Sequence, residues 1–185
     1  MQPQPMSRIA PFVVDATGVG PVVASHAPSW LLIRRLGPDD RVALAEHFIS
    51  LPRQDRRTRF GGNASDAAIQ RHCDGLDLDE TVCFAALDAS GAVVGAALGF
   101  AYGAGDGPHR QCVEVAVSVA PEHRRRGLGT DLVSRVHHAT AARGADAAVF
   151  EFDPSNAAIR GLVRRLGGMV RPFAESCVIP LSPLQ

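Results

Sequence analysis

The chain has 185 residues, 46% of them hydrophobic and 21% charged, a composition typical of a folded protein that excludes a disordered one. This length suits one domain with a sizeable core. The 19 basic and 19 acidic side chains cancel, so a general nucleic-acid binder is not expected, and any basic site must be local.

Cysteine usage and the lengths of the hydrophobic runs limit the class of protein further. The four cysteines are scattered, with neither a Cys-x-x-Cys pair nor histidines at metal-ligand spacing. They predict buried or free thiols in a reducing compartment, hence a cytoplasmic protein with no metal site. No run approaches the length of a membrane span, so no membrane partner is expected.

Residues 1–29 come first and lack the periodicity of a packed element. Pro11, Asp15 and Gly18 interrupt the hydrophobic stretch that a signal peptide would need. We therefore expect a flexible N-terminal extension over residues 1–29, followed by one domain over residues 30–185.

The next third of the chain alternates strand and helix patterns. Residues 30–35 predict a strand, and Asp39-Asp40 then opens a helix. The apolar face of this helix is predicted to comprise Val42, Leu44, Ala45, Phe48 and Ile49. A polar, basic stretch follows at 52–62, and a short helix is predicted at 66–74. Two strands joined by a hairpin signal are predicted at 81–88 and 92–102, and a loop at 103–109.

The rest of the chain predicts a strand–helix–strand–helix–strand order. The valine-rich segment 112–119 is a clear strand, and apolar spacing from Leu128 predicts the helix after it. Residues 147–152 predict a strand, and 153–168 a helix with Asp153 as N-cap and Pro154 in its first turn. One or two short strands close the chain. The order indicates a mixed α/β fold with one crossover between parallel strands.

The segment HRRRGLGT, residues 123–130, lies where a strand meets a helix N-terminus. Backbone N–H groups of residues 126–130 are expected to be free there and, with the helix dipole, to attract an anion. A Walker A loop is excluded because no lysine precedes Thr130. A dinucleotide-binding turn is disfavoured because Leu132 stands where its third glycine belongs, and a solvated arginine patch is the remaining alternative.

The pattern Arg124-x-x-Gly127-x-Gly129 after a valine strand resembles the acyl-coenzyme A signature of the GNAT N-acetyltransferase superfamily. In that family the second helix opens with an asparagine and continues to a glycine, as Asn156 and Gly167 do here. The strand 113–119 and the stretch 51–62 are also similar to the acetyltransferase domain of bacterial protein-lysine acetyltransferases.

The resemblance implies a GNAT-like α/β fold, with a mostly antiparallel central sheet flanked by helices and one βαβ crossover that binds coenzyme A. It implies acetyl-CoA as cosubstrate, with its pyrophosphate in the 124–130 loop. Asn156 is expected to bind the pantetheine arm, since Asp153 and Pro154 would already cap the helix. The implied cofactor-binding residues are Val117, Val119, Arg124, Arg125, Arg126, Gly127, Leu128, Gly129, Thr130 and Asn156.

Glu114 is the candidate general base, because acetyl transfer needs a neutral amine and this side chain alternates away from the valine face. The alternative is a structural glutamate paired with an arginine. Freed N–H groups near Val117 and Val119 could stabilise the oxyanion. Many relatives carry a general-acid tyrosine where this chain has Val163, so the acid is unassigned, with Tyr102 and Cys177 as stand-ins.

The sequence therefore predicts an N-acyltransferase that moves an acetyl group from acetyl-CoA to a primary amine, on a small molecule or a protein lysine. The alternative is a GNAT-like module that binds coenzyme A without turnover, as a sensor or interaction partner. Neither nucleic acid nor membrane is an expected partner, and a homodimer is left open.

Overall fold

The computed structural model describes residues 31–102 and 111–181 of the chain, with the side chain of Tyr102 outside this set. Within them, six strands form one sheet in the order β1-β2-β3-β4-β5-β6. The strands are β1 Leu32–Arg35, β2 Val82–Leu87, β3 Val93–Tyr102, β4 Cys112–Val119, β5 Ala147–Glu151 and β6 Ser176–Pro180. The helices are α1 Arg41–Ser50, α2 Arg53–Phe60, α3 Asp66–Asp74, α4 Leu128–Ala142 and α5 Ala157–Arg165.

The predicted mixed α/β fold with a mostly antiparallel sheet is confirmed. Neighbouring strands pair antiparallel except β4 and β5, which are parallel and are joined through α4. Such a pair needs a crossover connection, as predicted. The expected extension over 1–29 and loop over 103–109 lie outside the described residues. No helix in the described ranges is long and apolar enough to span a membrane.

The stretch 52–62 contains a helix that the sequence pattern missed. Residues Arg53–Phe60 form α2, which ends where Gly61 adopts a left-handed conformation with φ of 66°. Periodicity could not predict it, because the segment RQDRRTRF has almost no apolar residues to repeat. Its position is fixed by packing across β4 rather than by an apolar stripe.

Two hydrophobic cores lie on opposite faces of the sheet. One core contains the inner faces of α4 and α5, and the other contains those of α1 and α3. Leu128, Leu132, Val133 and Val136 of α4 are at most 2% exposed, and burying each contributes about 1.5–3 kcal/mol.

The alternation of β4 separates its side chains between these two cores. Val113 and Val115 belong to the α4 core, so Glu114 and its even-numbered neighbours project to the face that carries α1 and α2.

The predicted apolar face of α1 is wrong at one position. Val42 is 59% exposed, and the buried surface instead includes His47, which is 2% exposed. A histidine carries no hydrophobic signal in the sequence, so the pattern included Val42 in the buried face and omitted His47. Leu44, Ala45 and Phe48 are buried as predicted.

Candidate functional site

The candidate site lies where β4 and β5 separate. The two strands pair at only three positions, of which Glu114–Val149 is the last, although β4 continues to Val119. The N–H of Ala120 donates to a carbonyl of β3. By the alternation of an antiparallel ladder, the backbone groups of Val117 and Val119 then point away from β3. A gap therefore opens beyond Glu114, lined by the backbone groups that the sequence predicted to be free.

The turn that precedes α4 lies beside this gap. Arg125 and Gly127 both adopt left-handed conformations, with φ of 61° and 82°, so the chain curls just before the helix. No backbone acceptor in residues 31–102 and 111–181 takes up the N–H groups of residues 125–129. The N–H of Thr130 was expected to be free, but it donates to the Gly127 carbonyl at 2.9 Å. The free N–H groups and the helix dipole together suit an anion such as a pyrophosphate.

The three arginines of this turn play different structural parts. Arg124 turns back towards the sheet, where its Nε donates to the Val119 carbonyl at 2.7 Å. Its Nη2 lies 2.7 Å from the Asp55 carboxylate of α2. Arg125 and Arg126 are exposed. Arg124 thus anchors the turn, while Arg125 and Arg126 present their charge to solvent.

Gly129 lies against the walls of the gap. A Cβ at this position would lie 3.4 Å from Cδ1 of Leu162 in α5 and 3.7 Å from Cγ2 of Val119 in β4. The glycine therefore leaves little more than methyl-sized space between β4, α4 and α5. Leu128 is 2% exposed and belongs to the core, so its backbone N–H is the part that is available to a ligand.

Asn156 is the N-cap of α5, which corrects the prediction for this helix. Its Oδ1 accepts a hydrogen bond from the N–H of Ile159 at 3.2 Å. Asp153 was predicted to cap the helix, but it accepts from the N–H and hydroxyl of Ser155 in the preceding turn. The carboxylate is satisfied locally, so the helix starts three residues later than predicted. The Asn156 amide retains Nδ2, which donates to no described residue, for a ligand.

Neither of the two residues considered as a general acid, Cys177 and Tyr102, is seen at an accessible position in the described structure. Val163, at the family's tyrosine position, is fully buried in the α4 core. Cys177 is also buried, and its thiol lies 3.5 Å from the Met169 carbonyl. A Cβ on Gly168 would lie 2.6 Å from Cγ1 of Val163, so this position has no room for a side chain that could serve as the acid. The Tyr102 side chain is outside the described residues.

Glu114 lies at the last position at which β4 pairs with β5, and it is partly buried. Burial raises the pKa of Glu114, the nearby Glu151 carboxylate raises it further, and the Arg59 guanidinium opposes the rise. Among the described residues Glu114 forms no salt bridge, so the alternative of a glutamate paired with an arginine has no ion pair to support it. A carboxylate with a raised pKa suits proton transfer near neutral pH.

Two side chains on the Glu114 face were missed by the sequence analysis. His47 of α1 lies with its Nε2 2.8 Å from Oγ of Ser118 on β4. Burial lowers the pKa of His47 to about 4, so its ring is neutral at pH 7. Arg59 of α2 lies within electrostatic reach of Glu114. Sequence alone offered no signal for either, since both depend on which way α1 and α2 face.

No metal centre accompanies these residues in the described part of the chain. Residues 31–102 and 111–181 contain no group of three or more His, Cys, Asp or Glu side chains that could hold a metal ion. The four cysteines, three of them buried, are free thiols.

Sequence and fold comparisons agree on one family. The acetyltransferase (GNAT) family model matches residues 49–168, whereas no protein with a curated description matches the chain. The GNAT domain of S. lividans PAT is similar with a TM-score of 0.66 and 21% identity, covering 80% of this chain and 89% of that one.

Two solved complexes are also similar in fold. The structure of yncA from Salmonella typhimurium with its cofactor acetyl-CoA has a TM-score of 0.60 and 21% identity, covering 84% of this chain and 96% of that one. A phosphinothricin acetyltransferase from Sinorhizobium meliloti in complex with acetyl-CoA has a TM-score of 0.62 and 20% identity, covering 82% and 89%. These likenesses confirm the expected GNAT fold.

Proposed function

The chain belongs to the acetyltransferase (GNAT) family, and from this premise we propose that it moves an acetyl group from acetyl-CoA to a primary amine, with Glu114 as general base. The observation that carries the proposal is the end of β4–β5 pairing at Glu114–Val149, beside a turn with free N–H groups. One short segment of chain thus combines an anion site, open backbone groups and a carboxylate.

The residues around the gap fit coenzyme A by their chemistry. The N–H groups of residues 125–129 suit its pyrophosphate, and the exposed Arg125 and Arg126 add positive charge. The open backbone of Val117 and the N–H of Val119 match the amide-rich pantetheine arm, and Nδ2 of Asn156 offers one further donor. Arg124 acts indirectly, by anchoring the turn to Val119.

Glu114 would lower the cost of making the amine nucleophilic. A lysine-like amine with a pKa of about 10.4 is neutral roughly once in 2,500 at pH 7, a handicap near 4.6 kcal/mol. The amine lone pair attacks the thioester carbonyl, its proton passes to Glu114 directly or through water, and the C–S bond then breaks to release the thiolate. The backbone N–H of Val117 can stabilise the oxyanion.

The experiment measures release of free coenzyme A from acetyl-CoA with a panel of primary amines. All 19 basic residues are arginine, so lysine self-acetylation cannot contribute to the signal and turnover reports the added amine. Replacing Glu114 with glutamine keeps the shape and removes the basicity. We expect kcat to fall about 10²-fold at pH 7, with an unchanged dissociation constant for acetyl-CoA.

Glu151→Gln is the matched control, because the same change is made on the neighbouring strand at an exposed carboxylate. Its kcat should stay near the wild-type value, with the acid limb of the pH profile moved slightly lower, since Glu151 raises the pKa of Glu114. A wild-type kcat in Glu114→Gln, with chemistry rate-limiting, would remove the residue from the mechanism. Tight coenzyme A binding without turnover of any amine would favour the non-catalytic alternative.

A further inference from the structure

Two nitrogens of the Arg59 guanidinium are buried without a hydrogen-bond partner. Its Nε and Nη2 are out of contact with water and donate to no described residue. The guanidinium carbon lies 5.2 Å from the Phe48 ring centroid and 5.3 Å from that of Phe60, so it is stacked by both rings. Desolvating an arginine edge without an acceptor costs free energy that stacking alone recovers only in part.

The titratable side chains around Arg59 do not neutralise its charge. Burial raises the pKa of the Cys73 thiol to about 11 and that of Cys83 to about 12, so both are uncharged at pH 7. Burial also lowers the pKa of His72. The one carboxylate that acts on the pKa of Arg59 is Glu114, and the two form no salt bridge within the described residues. Among residues 31–102 and 111–181, no close acidic side chain therefore compensates the positive charge.

Arg59 lies on the same face of the sheet as Glu114. α2 packs across β4 on the face to which Glu114, Ala116 and Ser118 project. Glu114 projects to this same face, so an acceptor whose amine meets Glu114 would approach from the side that carries α2. Arg59 as a whole residue is partly exposed, so an anion from solvent can approach this side chain.

Resting on the proposed function, we propose that the acceptor is a small amine that carries a carboxylate, held by Arg59 while its amino group meets Glu114. A guanidinium and a carboxylate form charge-assisted hydrogen bonds, and the pair gains strength where water is excluded. Glu114 and Arg59 lie on one face of the sheet, where the base can meet the amino group of such a molecule and the cation its carboxylate. An acceptor without the carboxylate would leave the buried charge unpaired.

The test compares acceptors that differ only by the carboxylate. The probes are leucine with 3-methylbutylamine, phenylalanine with 2-phenylethylamine, and lysine with cadaverine, each measured as kcat/KM with saturating acetyl-CoA. The wild-type protein should prefer the amino acid of at least one pair. Arg59→Met should lower kcat/KM for that amino acid about 10²-fold, while the value for its decarboxylated partner stays within about threefold. Differences in amine basicity cancel between the two proteins.

Arg57→Met is the matched control, since it removes an exposed arginine from the same helix. It should leave both members of each pair unchanged. Arg59→Met should fold with a melting temperature no lower than wild type, because an unpaired buried charge is replaced by an apolar side chain. Calorimetry with acetyl-CoA should give an unchanged dissociation constant for Arg59→Met.

Two results overturn the inference while the proposed function stands. One is equal turnover of both members of every pair by the wild-type protein, and the other is an equal loss for both members in Arg59→Met. Coenzyme A binding with no turnover of any probe refutes the proposed function and this inference with it.

Discussion

Asn156 allows helix capping and cofactor binding to be separated by two substitutions. Its Oδ1 caps α5 through the Ile159 N–H at 3.2 Å, while its Nδ2 is free for a ligand. Asn156→Ala removes both groups, whereas Asn156→Ser keeps a capping oxygen and loses the longer amide donor. Loss of a cap costs about 1 kcal/mol. In a domain of this size that corresponds to a fall in melting temperature of roughly 2–4 °C.

The two variants should therefore agree in binding and differ in stability. Losing one hydrogen bond worth about 1 kcal/mol should weaken coenzyme A binding about fivefold in both, as measured by titration calorimetry. Thermal unfolding should show the fall in melting temperature for Asn156→Ala alone. A wild-type dissociation constant in Asn156→Ser would refute the binding role and leave Asn156 as a cap only.

Two further outcomes are expected. Gly129→Glu should abolish acetyl-CoA binding, because the space beside Gly129 is little more than methyl-sized and the longer charged side chain would fill the gap. Calorimetry checks this, and the smaller Gly129→Ala, whose Cβ meets Leu162 at 3.4 Å, should still bind. The low pKa of His47, about 4 when folded against an ordinary value of 6.5, means that the unfolded chain takes up the proton first as pH falls. The free energy of unfolding should thus drop by about 2 kcal/mol between pH 7 and pH 5 on account of His47, and urea titrations in which His47→Gln shows the same drop as wild type would contradict this.

The cofactor-binding part of the candidate site could be predicted from the sequence better than the acceptor-binding part. The N–H turn before α4 follows from local rules, since a strand, two glycines and a helix start are all visible in one short segment. The free end of β4 was expected from the GNAT resemblance. Residues 112–119 and 66–74 were also predicted with the bounds that the structure has. The GNAT resemblance depended on the same local patterns.

Competition between neighbouring groups accounts for what could not be predicted. Asp153 was the better cap by residue type, but its carboxylate is used by Ser155, and Asn156 caps the helix instead. Arg124 was expected to meet a phosphate, and an acidic side chain from a helix far away in sequence, Asp55, pairs with it. Arg59 stood in a stretch without apolar periodicity, so nothing indicated that Nε and Nη2 of its guanidinium would be buried. Each depends on tertiary contacts that sequence patterns do not encode.

The short pairing between β4 and β5, at only three positions, also affects how the sheet can open. Ladder bonds at Cys112–Ala147, Val113–Ala148 and Glu114–Val149 are the strand pairing that joins β1–β4 to the β5–α5–β6 unit. A unit attached by so short a ladder is a candidate for sub-global opening at a cost below that of complete unfolding. A ligand that contacts both β4 and the β5–α5–β6 unit would bind the closed form and make such opening less favourable. Slowed amide exchange in β5 and β6 would then accompany occupancy, linking the rigidity of two of the six strands to the supply of acetyl-CoA.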